Sequence, residues 1–155
     1  MYYQSSTRLA AVSDGTSNTM LFAERAYGAL NIDPTNASVD MWWNSGYWGH
    51  TSFNAEVPPN GYKKYRDIIN TQGYYWLAEE GASSFHPGGA NVAFIDGSVK
   101  FIKDGVASWA VDPSTGHARG LTQIRYAYTW GTSQPQTWQA LATRAGGEVI
   151  GGDAF

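Results

Sequence analysis

FHPGGANVAFIDGSVKFI, residues Phe85 to Ile102, decides how this chain is read. A histidine opens the stretch, nine residues follow, and Asp96-Gly97 then divides two apolar runs. Asp-Gly between alternating apolar residues is the strongest short-range hairpin signal, because a type I′ turn requires positive φ at both central positions. A two-residue turn here pairs Ile95 with Ser98, Phe94 with Val99, Ala93 with Lys100 and Val92 with Phe101. Val92, Phe94, Val99 and Phe101 are then expected on one core-facing side, with Asn91, Ser98 and Lys100 on the other and Ile95 and Ile102 available to a second layer.

That reading makes Asp96 a turn residue and leaves His86 to be explained. Five extended residues span about 17 Å, so His86 and Asp96 meet only if the Pro87-Gly88-Gly89 loop folds back. His86 is therefore expected to be structural, hydrogen-bonded near that loop and without a metal. The three histidines, His50, His86 and His117, are scattered, with no His-x-x-x-His pair and no carboxylate at zinc spacing. No G-x-S-x-G, S-x-x-K or phosphate-loop motif is present. Glu24, Glu56, Glu79 and Glu80 supply carboxylates for a glycosidase, yet no spacing pairs them. No catalytic, cofactor-binding or metal residue is assigned, and the chain is read as non-enzymatic.

Composition points the same way. The 155 residues, about one domain's worth, are 43% hydrophobic and only 15% charged, with 18 glycines, 7 tryptophans and 10 tyrosines. Such a chain is expected to be turn-rich, aromatic and mostly β. A net charge of −3, with no basic cluster beyond Lys63-Lys64-Tyr65-Arg66, argues against nucleic acid. The absence of cysteine removes disulfides, thiolate metal sites and a cysteine nucleophile together. No apolar run approaches the roughly eighteen residues of a membrane span, so no membrane contact is expected of this chain.

Asp14-Gly15 opens a polar turn (Ser13 to Asn18), followed by a strand from Thr19 to Ala26 with Met20 and Phe22 on one face. A short helix capped by Asn18 is the alternative. Asp14, Thr16 and Asn18 also form an oxygen-rich turn that a calcium ion could use, although no bidentate glutamate closes the loop. From Gly28 to Pro59 a loop-rich stretch carries Trp42, Trp43, Tyr47 and Trp48 within seven positions. Those rings are candidates for an interaction surface or a sugar-stacking platform, against a packing role within the loop. Gly61 to Ile69 suits a brief helix or an irregular connection, and Leu121 to Trp130 suits a strand. Residues 137–151 suggest a two-turn helix with Trp138, Leu141 and Ala142 on one face, closed by a left-handed Gly146 and followed by a short strand.

Three motifs in order carry a resemblance to a known family. His86 and Asp96-Gly97 match a His, nine residues, Asp-Gly signature. Asp14 to Thr19 matches an Asp-Gly-Thr-Ser-Asn-Thr turn, with Gly15 and Asn18 in it and Glu24 following. Trp138 to Val149, including Arg144, Gly146 and Gly147, matches a Trp-x-x-Leu-x-Thr-Arg-x-Gly-Gly-Glu-Val ending. The chain thus resembles the pseudopilin-like proteins abundant in planctomycetes, domain of unknown function 1559. The resemblance implies a pilin-like α+β domain with a mainly antiparallel sheet, long aromatic loops and one or two short helices, spanning 1–155 as a single unit. It implies a structural, extracytoplasmic role in a type II secretion or type IV pilus-like assembly, at the cell surface or in the periplasm. Its partners would be like subunits or other pilin-like proteins, with a glycan as the alternative. Full-length members carry a prepilin leader and a long apolar helix, so this chain is expected to correspond to their C-terminal portion.

Overall fold

The computed structural model describes residues 6–26, 52–124, 127–129, 131–148 and 150–151. It is an α+β structure, and its centre is the expected hairpin. Strand β1 (Met20–Ala23) pairs antiparallel with β2 (Gly89–Phe94), and β2 with β3 (Val99–Lys103), in the order β1-β2-β3. Helices α1 (Gly61–Lys64), α2 (Arg66–Gln72) and α3 (Trp76–Glu79) lie between β1 and β2 in the chain, and α4 (Thr137–Ala140) comes after the sheet. Strands β4 (Thr122–Ile124) and β5 (Ala127–Thr129) form a separate antiparallel pair, where a single strand was expected. Among the described residues, no helix is long and apolar enough to cross a membrane.

The hairpin is in place, but its turn is not type I′. Gly97 N donates to Phe94 O (3.0 Å) and Phe94 N to Ser98 O (2.9 Å), so three residues, Ile95 to Gly97, form the loop. Gly97 has φ +86°, whereas Asp96 is not among the residues with positive φ. This is the three-residue loop in which a left-handed glycine forms a bulge. The extra residue shifts the register by one: Ala93 faces Val99, Val92 faces Lys100, Asn91 faces Phe101 and Ala90 faces Ile102. A one-residue shift sends every side chain of β3 to the opposite face. Ile102 is therefore buried, while Val99 and Phe101 are 64% and 43% exposed, the reverse of the expected arrangement. Lys100 takes the core side, its Nζ lying 4.5 Å from the Phe94 ring centroid and donating to Ser17 O at 3.2 Å.

A second irregularity acts on β1. Met20 pairs with Phe94 and Phe22 with Ala93, so the register slips between them. Met20 stays buried and Ala23 packs on the core, but Phe22 turns outward at 66% exposure rather than sharing Met20's face. Bulges of this kind re-aim a side chain at a sheet edge. Replacing Gly97 with Val should lower stability by more than about 1 kcal/mol, because a β-branched residue resists left-handed backbone. No neighbour lies within 4 Å of the added Cβ, so backbone strain alone is tested. An unchanged denaturation midpoint would contradict the turn.

Two apolar clusters make up the core among the described residues. Met20, Ala82, Val92, Phe94, Ile102, Val106, Trp138 and Leu141 form one; Val57, Tyr65, Ile69, Leu77 and Val111 form the other. Trp138 joins them, donating Nε1–H to Val57 O at 2.7 Å from a fully buried position. Helix α4 is one turn rather than two. Trp138 and Leu141 are buried as expected, but Ala142 is exposed, and it is Gly147 (φ +78°), not Gly146, that is left-handed. Glu148, Ile150 and Gly151 belong to no strand.

Candidate interaction face and its motif residues

The three sequence motifs are one structural assembly. The Asp14–Thr19 turn lies against the hairpin tip, where Ile95 N donates to Thr19 O (3.0 Å) and Asp96 N to Thr16 O (3.1 Å). On its other side it holds the chain after α4. Asp14 Oδ2 accepts from Gly146 N (2.8 Å) and Thr143 Oγ1 (2.9 Å), and Oδ1 accepts from Gly147 N (3.0 Å). Burial opposes the Asp14 charge, but the donations from Gly147, Gly146 and Thr143 outweigh it and hold the carboxyl below its usual range. Gly15 supplies the turn with φ +93°, and Asn18 closes it through Asn18 N to Gly15 O and Asn18 Nδ2 to Asp14 O. Arg144 contributes its carbonyl, which accepts from Asp14 N at 3.3 Å.

Asp96 is a turn residue. Its Oδ1 accepts from Ser98 N (2.9 Å) and Ser98 Oγ (2.7 Å), and the Ser98 hydroxyl and amide together lower its carboxyl pKa. His86 does not meet it. His86 Nε2 lies 3.3 Å from Glu24 Oε1, and its ring stands edge-on to Phe101 with centroids 6.3 Å apart. Glu24 is fixed on the sheet by Asn91, whose backbone N donates to Oε2 (2.7 Å) and whose Nδ2 donates to Oε1 (2.9 Å). Burial again works against the charge, and the Asn91 donations with the nearby His86 lower the Glu24 carboxyl below its usual range. The imidazole thus spans the outer face of the sheet, from Glu24 beyond β1 to Phe101 on β3. The Pro-Gly-Gly loop makes this possible: Gly88 has φ +85°, and a Cβ on Gly89 would lie 2.6 Å from the Phe101 ring.

This end of the sheet is polar and the rest is not. Phe22, Ala93 and Val99 lie in one row across the three strands, next to Phe101, with Phe85 70% exposed at the loop beside His86. Among the described residues, no group of three or more histidines, aspartates or glutamates could hold a metal ion. In the turn that a calcium ion could use, the Asp14 carboxylate is engaged by the Gly146 and Gly147 amides and the Thr143 hydroxyl. Trp42, Trp43, Tyr47 and Trp48, the sequence-based choice for an interaction surface, lie outside the described residues. The outer sheet face was missed because its exposure follows from the bulged register.

Residues 1–108 match the family model described as a protein of unknown function, DUF1559. The chain belongs to this family. The matched DUF1559 residues include the Asp14–Thr19 turn, Glu24, His86 and Asp96-Gly97, and stop short of the Trp138–Val149 motif. No curated protein and no solved structure matches the chain.

Proposed function

We propose that this DUF1559 chain is a non-enzymatic structural subunit or accessory domain of a pseudopilin-like, type II secretion or type IV pilus-like assembly outside the cytoplasm, and that it associates with like subunits. The observation that carries the reading is the exposed apolar sheet face: Phe22 on β1 is 66% exposed, and Val99 and Phe101 on β3, across β2 from it, are 64% and 43% exposed. Contiguous exposed apolar residues mark association surfaces.

The charge pattern on this face favours a second copy as the occupant. Glu24 lies on the β1 side and Lys103 on the β3 side, both towards the Gly89 end of β2. A two-fold axis parallel to the strands lays β1 of one copy over β3 of the other. Phe22 then meets Val99 and Phe101 twice, and Glu24 falls on the Lys103 side of the other copy twice, as an isologous interface requires. The motif residues fit a structural role, since His86, Glu24 and Asp14 hold loops together.

Sedimentation of purified protein over a concentration series tests the proposal. Wild-type protein should shift from monomer to a larger species, and Phe22→Ser with Val99→Ser should remain monomeric with its circular dichroism unchanged. A wild-type chain that stays monomeric throughout would overturn self-association, and a variant that associates normally would overturn this face.

A further inference from the structure

A single amide organises a second polar cluster. Asn54 Nδ2 donates to Glu80 Oε2 at 2.6 Å, while Asn54 Oδ1 accepts from Glu56 N at 3.0 Å. Asn54 N donates to Glu80 O at 2.8 Å, so residue 54 grips residue 80 by backbone and side chain together. Glu56 is itself fixed: its Oε1 accepts from Ala118 N (2.7 Å) and lies 3.2 Å from His117 Nδ1, and the His117 ring stacks on Trp76. Two glutamates are thus drawn into one half-buried cluster.

The same place joins separate parts of the chain. Ser83 N donates to Glu24 O (2.8 Å) and Ala26 N to Ser83 Oγ (2.9 Å), so residues 80–83 hold the segment leaving β1 on one side and Asn54 on the other. Arg25 Nη1 donates to Ser52 O (2.9 Å), closing the circuit. We propose that Glu80, gripped by Asn54 and facing Glu56, is a proton-linked clamp that tightens the joint between residues 24–26, 52–56 and 80–83 when it takes up a proton.

Linkage sets the sign. The charged and titratable groups acting on Glu80 are Glu56, Arg25 and His117. Burial and the Glu56 charge raise its carboxyl pKa, against Asn54, Arg25 and His117, which lower it, and the net direction is upward. An opened joint returns Glu80 to water and to an ordinary carboxyl. The closed joint therefore binds the proton more tightly, and the proton favours the closed joint to the same extent. Stability from this group is fully present below its unfolded-state pKa and is lost as pH rises through the raised folded-state pKa. Asn54 keeps its acceptor throughout, because a neutral carboxyl retains a carbonyl oxygen.

The test follows the amides of Ala26, Asn54 and Ser83 by hydrogen exchange, corrected for intrinsic rate, from neutral pH down to about pH 5. In wild-type protein their protection should rise on acidification. In Glu80→Gln, which keeps the oxygen and lacks the charge, protection should already be high at neutral pH and flat across the range. The Glu80 carboxyl carbon, followed by NMR in the folded wild type, should titrate above the ordinary glutamate range. An ordinary Glu80 titration, or the same pH dependence in wild type and Glu80→Gln, would overturn the clamp. Glu80→Gln leaves Phe22, Val99 and Phe101 in place, so its self-association separates failure of the clamp from failure of the interaction face.

Discussion

Replacing Trp138 with Ala should destabilise the protein by about 3–5 kcal/mol, measured as the change in unfolding free energy in urea. Trp138 is fully buried and packs among Met20, Val92, Phe94, Ile102 and Leu141, with Phe53 tilted against it at 6.3 Å between centroids. Its loss leaves a cavity where the sheet meets the second cluster, and leaves Val57 O without the indole donor. Trp138→Phe separates the two effects. It keeps most of the volume, and the lost hydrogen bond should cost about 1–3 kcal/mol. A fully buried indole that could be truncated for less than about 1 kcal/mol would contradict the packing described.

Asn60→Ala should have a comparable effect, about 3 kcal/mol or more, for different reasons. Asn60 is 1% exposed and has φ +55°, the one non-glycine residue with positive φ among those described. Its Oδ1 accepts from Ser84 N (2.7 Å), and its Nδ2 donates to Gly89 O (3.2 Å) and Asp104 Oδ1 (2.7 Å). It thus ties the start of α1, the loop before His86 and both strands of the hairpin near its open end. Alanine orphans the Ser84 amide and must also adopt a left-handed backbone. Asn60→Gly removes the same hydrogen bonds but accepts the backbone, so it should recover about 1 kcal/mol of the loss. Equal losses for Ala and Gly would mean that the backbone at residue 60 carries no strain.

The sequence located the hairpin without settling its register, because Asp-Gly serves two turns equally well. One has two loop residues and the other three, and they differ in whether Ser98 pairs with Ile95 or with Phe94. In the folded chain Thr19 O and Thr16 O take the amides of Ile95 and Asp96, contacts from a distant turn that alternation cannot report. The same limit hid the partners of the motif residues. Glu24 and Asn91 are 67 positions apart, and Asp14 and Gly146 are 132 apart. The residues were visible as a pattern, but their pairing exists only once β1 is beside β2 and α4 is beside the first turn. Burial of Trp138 and Leu141 was legible from helical spacing. The shortness of α4 was not, since Asp14 draws Gly146 and Gly147 into a turn from outside the segment. The Glu56–Glu80 cluster depends on Asn54 lying between them, a contact that carboxylate spacing alone does not disclose.

Self-association through the outer sheet face places Phe22, Ala93, Val99 and Phe101 against another copy of the chain. Methyl NMR on a dilution series reads that face directly, because β2 and β3 carry methyl groups on both sides. With rising concentration the Ala93 and Val99 methyls should shift or broaden, while those of Val92 and Ile102, on the buried side, should hold still. Unmoved Ala93 and Val99 signals across the series, or shifts confined to another surface, would rule out association through this face.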